Sequence, residues 1–78
     1  MPTLDQAVIE QKVGSYLKSN YGEDLMDCEV LQDELNEDGD GRLVTKCRVS
    51  VGGSESLWQK TFTFRGEEIV NMTWRRLG

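Results

Sequence analysis

The chain changes its hydrophobic period once. Up to about residue 21, apolar side chains recur every three to five positions. Leu4, Val8, Ile9, Val13, Tyr16, Leu17 and Tyr21 make one helical stripe. The ends of this predicted helix carry their own signals. Thr3 and Gln6 form a capping box, Asp5 adds negative charge near the N-terminal dipole, and Gly22 after "SNY" offers a left-handed stop. Gly14 lies inside the stripe, where it costs up to ~1 kcal/mol relative to Ala and points to close packing.

From about Met26 the period becomes two. Four strands are predicted, roughly over 26–35, 42–51, 56–65 and 69–76, with turns at "NEDGDG", "GGSE" and "GEE". A two-residue turn at Gly52-Gly53 sets Cys47 opposite Trp58, Val49 opposite Ser56 and Leu43 opposite Phe62. A three-residue loop at "GEE" sets Phe64 opposite Val70, Phe62 opposite Met72 and Lys60 opposite Trp74. Both turns then place Leu43, Cys47, Val49, Val51, Trp58, Phe62, Phe64, Val70, Met72 and Trp74 on one face, which the helix stripe covers. The expected architecture is α+β: one N-terminal helix on a four-stranded antiparallel meander, in a single domain over 1–78.

The opposite face collects Val44, Lys46, Arg48, Ser50, Leu57, Gln59, Thr61, Thr63, Ile69, Asn71, Thr73 and Arg75, as the wet side of such a sheet should. On the covered face Lys60 is the exception. Opposite Trp74 near a sheet rim, it is expected to snorkel over the indole.

The order helix-then-strands, together with "TFTFRGEEIVNMTWRRL" at 61–77, resembles the cystatin-type and NTF2-like group of folds. In that group an N-terminal helix is wrapped by a curved antiparallel sheet, and 61–77 would be the closing hairpin. The pocket of larger NTF2-like proteins does not carry over, since the chain lacks their extra helices and has no His. The Gln-x-Val-x-Gly hairpin of cystatin inhibitors is not matched by "QKVG" at 11–14, which falls in the helix with the wrong spacing.

Composition narrows the class. Of 78 residues, 37% are hydrophobic and 29% charged with a single Pro, a globular rather than a disordered balance. A chain this short buries only roughly 60–65% of its unfolded surface, so its stability margin is a few kcal/mol. No apolar run nears the ~20 residues of a membrane span, and "MPTLDQAVIEQ" lacks a basic stretch followed by an apolar core. A cytoplasmic location is expected.

Charge is uneven along the chain. Residues 1–41 hold eleven acids and two bases, for −9, whereas 42–78 hold seven bases and three acids, for +4. The net −5 argues against a general nucleic-acid binder, which needs a basic stripe. Attraction between the two halves, or simply solvated charged surfaces, accounts for the asymmetry without a ligand.

Little catalytic chemistry is visible. With no His, acid–base work would fall to Asp, Glu, Lys or Tyr, and no Ser or Cys has an evident base. No Gly-rich phosphate loop opens a helix, and nothing calls for a cofactor. Cys28 and Cys47 match no zinc spacing. With Asp38-Gly39 as the turn, Val30 faces Cys47 and Cys28 lies diagonally away, so both are read as core thiols.

"NEDGDGRLVTKC" at 36–47 follows a calcium loop part of the way. Asn36, Asp38 and Asp40 stand at the first, third and fifth positions and Gly41 at the sixth. The twelfth position is Cys47, which cannot supply two carboxylate oxygens, and the flanks alternate like strands. A turn is the better reading. Trp58, Phe62, Phe64 and Trp74 could stack on single-stranded bases, but they occupy the face that the helix covers.

The expectation that remains is a non-catalytic interaction domain. Its contact surface is the outer sheet face, with Lys46, Arg48, Gln59, Thr61, Thr63, Asn71, Thr73 and Arg75, or an edge strand meeting a partner protein or a second copy. The alternative is weak anion or nucleic-acid binding through Lys46, Arg48 and Arg75. A small-ligand carrier, with a cavity between helix and sheet, is disfavoured by the volume available.

Overall fold

A computed structural model describes residues 6–78. Helix α1 (Gln6–Tyr21) precedes four strands, β1 (Asp24–Asp33), β2 (Gly41–Val51), β3 (Ser54–Arg65) and β4 (Glu68–Arg76). The strands lie in the sheet in chain order, each antiparallel to its neighbour. This is the predicted α+β meander. Leu4 and the capping signals at Thr3 and Asp5 fall outside the described residues. No described helix is long and apolar enough to cross a membrane.

The helix buries Ile9, Val13 and Leu17, four residues apart, with Val8 and Tyr16 packed alongside. Tyr21, predicted in the stripe, is largely exposed at the end of the helix. Gly22 closes the helix at φ 67°. Its N–H donates to the Lys18 carbonyl (3.1 Å), the single bond of a left-handed αL stop, and the Glu23 N–H donates to that of Leu17 (3.2 Å). Gly14, however, does not serve close packing. A Cβ there would meet only Leu25, at 3.8 Å, an ordinary contact. Gly14→Ala is therefore expected to raise stability by about 0.5–1 kcal/mol in urea unfolding. A loss of stability would mean that the helix sits closer to β1 than described.

The central hairpin matches its predicted register throughout. Gly52 and Gly53 both adopt positive φ, and Leu43 faces Phe62, Cys47 faces Trp58 and Val49 faces Ser56. Every second residue of β2 from Leu43 to Val49 is buried. Val51, at the turn end of that face, is exposed.

The closing hairpin departs from expectation. Gly66 and Glu67 form a two-residue turn, both at positive φ, rather than the three-residue loop predicted at "GEE". Lys60 and Phe62 keep their predicted partners, Trp74 and Met72. Phe64, though, faces Ile69 instead of Val70, because a register shift leaves two β4 residues against one on β3. Ile69, expected on the wet face, consequently packs on the core, and Val70, expected in the core, is exposed.

The first hairpin also shifts. The Asn36 N–H donates to the Asp40 carbonyl, so the loop spans three residues and not the two of an Asp38-Gly39 turn. Further shifts occur at Met26 and Leu31. Together they bring Cys28, rather than Val30, opposite Cys47.

The resulting core is a single layer between α1 and one face of the sheet, centred on Phe62, Phe64, Leu43, Val49 and Leu17. Of the residues predicted to share it, Trp58 is half-buried and Trp74 is mostly exposed.

Candidate functional site

The outer face is assembled by strand alternation, and the register orders its side chains into rows. One row crosses all four strands as Glu29, Lys46, Gln59 and Arg75; the next runs Gln32, Val44, Thr61 and Thr73. Arg42, Thr63 and Asn71 form a third, and Asp27, Arg48 and Leu57 a fourth. All eight predicted surface residues are therefore on one face. Lys46, Arg48, Asn71, Thr73 and Arg75 are exposed, while Gln59, Thr61 and Thr63 are half-buried among their neighbours.

The rows also set the electrostatics. Lys46 lies opposite Glu29 and Arg48 opposite Asp27, and Arg48 Nε is 3.6 Å from Glu55 Oε1. Arg75 donates to the Gln59 side-chain oxygen at 3.2 Å. An open cleft of about 410 Å³ lies here, lined by Asp27, Glu29, Lys46, Arg48, Glu55, Ser56, Leu57 and Gly78. Three acids surround two bases. The acids come from β1 and from the turn end of β3, so an anion approaching Lys46 and Arg48 meets a neutralised surface.

Lys60 differs from its predicted place. It stands on an interior strand, 2% exposed, and not at a rim. Its ammonium is 3.1 Å from Glu23 Oε1, 5.2 Å from the Trp58 ring centre and 5.9 Å from that of Tyr21. Glu23, immediately after the Gly22 stop, is the functional-looking residue that strand and helix periodicity do not mark. A shallow cleft of about 150 Å³ opens beside the pair, walled by Tyr21, Trp58, Trp74 and Met72. Tyr21 and Trp74 meet edge to face at 5.9 Å, and so close off part of it themselves. The ammonium already fills the position that an aromatic cage would offer a cationic ligand.

Both thiols are free and buried, with sulfurs 4.0 Å apart against ~2.05 Å in a disulfide. Cys47 Sγ also lies 3.2 Å from the Thr45 hydroxyl, which donates to the Lys60 carbonyl at 2.9 Å. The hydrogen bond between the thiols pulls Cys47 below the ordinary thiol range and pushes Cys28 above it; burial works against ionisation of both. Cys47 is sealed from solvent.

In the "NEDGDG" segment, two of the three candidate ligands, Asn36 and Asp40, have a side-chain oxygen engaged by backbone N–H groups. Asn36 Oδ1 accepts the N–H groups of Asp38 (2.9 Å) and Asp40 (3.0 Å), and Asp40 Oδ1 accepts the N–H of Gly66 (2.6 Å). The Gly39 carbonyl accepts the Glu67 N–H at 3.1 Å, so this loop is clasped to the β3–β4 turn. Gly39 is needed at that clasp. Its φ is 79°, and a Cβ would come within 2.6 Å of the Glu67 nitrogen. Among the described residues, no three Asp, Glu, Cys or His side chains are grouped to hold a metal ion.

No protein-family model matches the chain, and neither a curated protein nor a solved structure matches it.

Proposed function

We propose that this chain is a small non-catalytic association domain that meets a partner protein, or a second copy of itself, through an unpaired edge of its sheet. The carrying observation is where the exposed apolar side chains lie. Of seven large ones among the described residues, Met26 and Leu31 are on β1 and Val70 and Trp74 on β4, the two edge strands. The outer face, by contrast, is polar and charge-balanced, which favours the edge over the face and over anion binding. A cystatin-type arrangement belongs to the same reading, supported by the helix lying on one face of a meander and by 61–77 forming most of the closing hairpin. A cytoplasmic setting suits two buried free thiols.

Amide NMR spectra recorded at low salt with a mixed-sequence oligonucleotide test the reading. The expected result is an unchanged spectrum. Shifts confined to Lys46, Arg48, Arg75 and their strand neighbours, reversed by added salt, would overturn it in favour of anion binding.

A further inference from the structure

Building on the edge-association reading, we infer that the surface used is the open side of β4 and that its occupant is β4 of a second copy, antiparallel and centred on Met72. Three observations carry this. The first is the direction of the peptide groups. Leu77 donates its N–H to the Leu57 carbonyl at 2.8 Å. Because successive residues of an antiparallel strand turn their peptide groups to opposite sides, Arg75, Thr73 and Asn71 also face β3. Met72, Trp74 and Arg76 turn theirs to the open side.

The second is the apolar pattern. Val70 and Trp74 are 56% and 55% exposed. A twofold axis through Met72, perpendicular to the sheet, keeps both helices on one face and sets Val70 against Trp74 of the second copy, twice. Centring the axis on Val70 or on Trp74 loses these pairs and shortens the overlap.

The third is charge. β4 begins at Glu68 and ends at Arg75 and Arg76. Antiparallel pairing brings the acidic end of each strand to the basic end of the other, whereas parallel pairing brings like ends together. β1 is the opposite case. Asp24, Asp27, Glu29 and Asp33 are its only charged residues, and it is kinked at Met26 and Leu31. Pairing β1 with itself sets acid on acid, so that edge is guarded and β4 is not.

A contact of one strand per copy is smaller than the ~1,600 Å² of a standard interface and belongs to the weak class. Sedimentation velocity should show the average mass rising toward that of a dimer between about 10 μM and 1 mM. Glu68→Arg and Arg76→Glu, each alone, place like charges at both ends and should weaken association about tenfold. An equimolar mixture of the two variants restores both opposite-charge contacts and should associate like the parent. Val70→Lys, at an exposed position, gives a second route: loss of association with an unchanged melting temperature. Parent protein that stays monomeric to about 1 mM overturns the self-pairing, and the oligonucleotide titration then judges the edge reading separately. Parent protein that associates equally well with all these changes overturns the β4 register alone and leaves association through another surface.

Discussion

Lys60→Met lowers the unfolding free energy by about 2–4 kcal/mol, and adding Glu23→Gln to the same chain recovers most of the loss. The ammonium and carboxylate are 3.1 Å apart, with side chains 3% and 15% exposed. Removing one partner of a buried pair strands the other in a poorly solvated site, which typically costs ~3–5 kcal/mol. Glu23 retains some contact with water, which puts the expected loss toward and just below the lower end. Met preserves the volume of the Lys stem, so lost packing contributes little. The Lys60 carbonyl keeps its bond from Thr45 in every variant. Urea unfolding of the parent, the two single variants and the double variant gives the coupling directly. Equal stability of Lys60→Met and the parent would show that Glu23 is solvated without its partner.

Phe62→Ala is the change expected to unfold the domain. Phe62 is fully buried, sits on a strand with neighbours on both sides, and meets the Tyr16 ring in a T-shaped contact at 6.2 Å between centroids. Truncating a buried Phe costs ~3–5 kcal/mol, comparable to the whole margin of a chain this size. Far-ultraviolet circular dichroism at room temperature should show the strand signal largely lost. A cooperative melt within about 10 °C of the parent's would refute this, because 3 kcal/mol corresponds to at least ~12 °C in a domain of fewer than 100 residues.

What could be known from the sequence follows from where the strands are regular. The β2–β3 pairing was legible because Gly52-Gly53 specifies a two-residue turn, and no extra residue interrupts the alternation on either side. The candidate rows on the outer face inherit that certainty, since Lys46, Arg48, Gln59, Thr61 and Thr63 all lie there. The edges were not legible. One additional residue at Met26, Leu31 or beside Ile69 exchanges the two faces for everything beyond it, and composition does not announce the insertion. This is why Ile69 and Val70 exchange roles and why Cys28 arrives opposite Cys47. The acids that neutralise Lys46 and Arg48 were hidden for the same reason, as two of them belong to β1. Lys60 and Glu23 are far apart in the chain and meet only because the helix stop delivers Glu23 to the covered face. No local pattern encodes that meeting.

The chain-order topology also sets a timetable for synthesis. Each strand pairs with a neighbour across a turn of two or three residues, and such hairpins close in roughly 1–10 μs. The helix is different. Ile9, Val13 and Leu17 are made first, but the surface they cover includes Phe62 and Phe64, near the end of β3. At ~5–20 residues per second, the ribosome needs roughly two to nine seconds to pass from the end of α1 to the end of β3. For that interval the nascent stripe has no sheet to lie on. The newborn chain is thus exposed at its helix for about a million times longer than any of its hairpins takes to zip, and this stripe is the segment a ribosome-associated chaperone would find open.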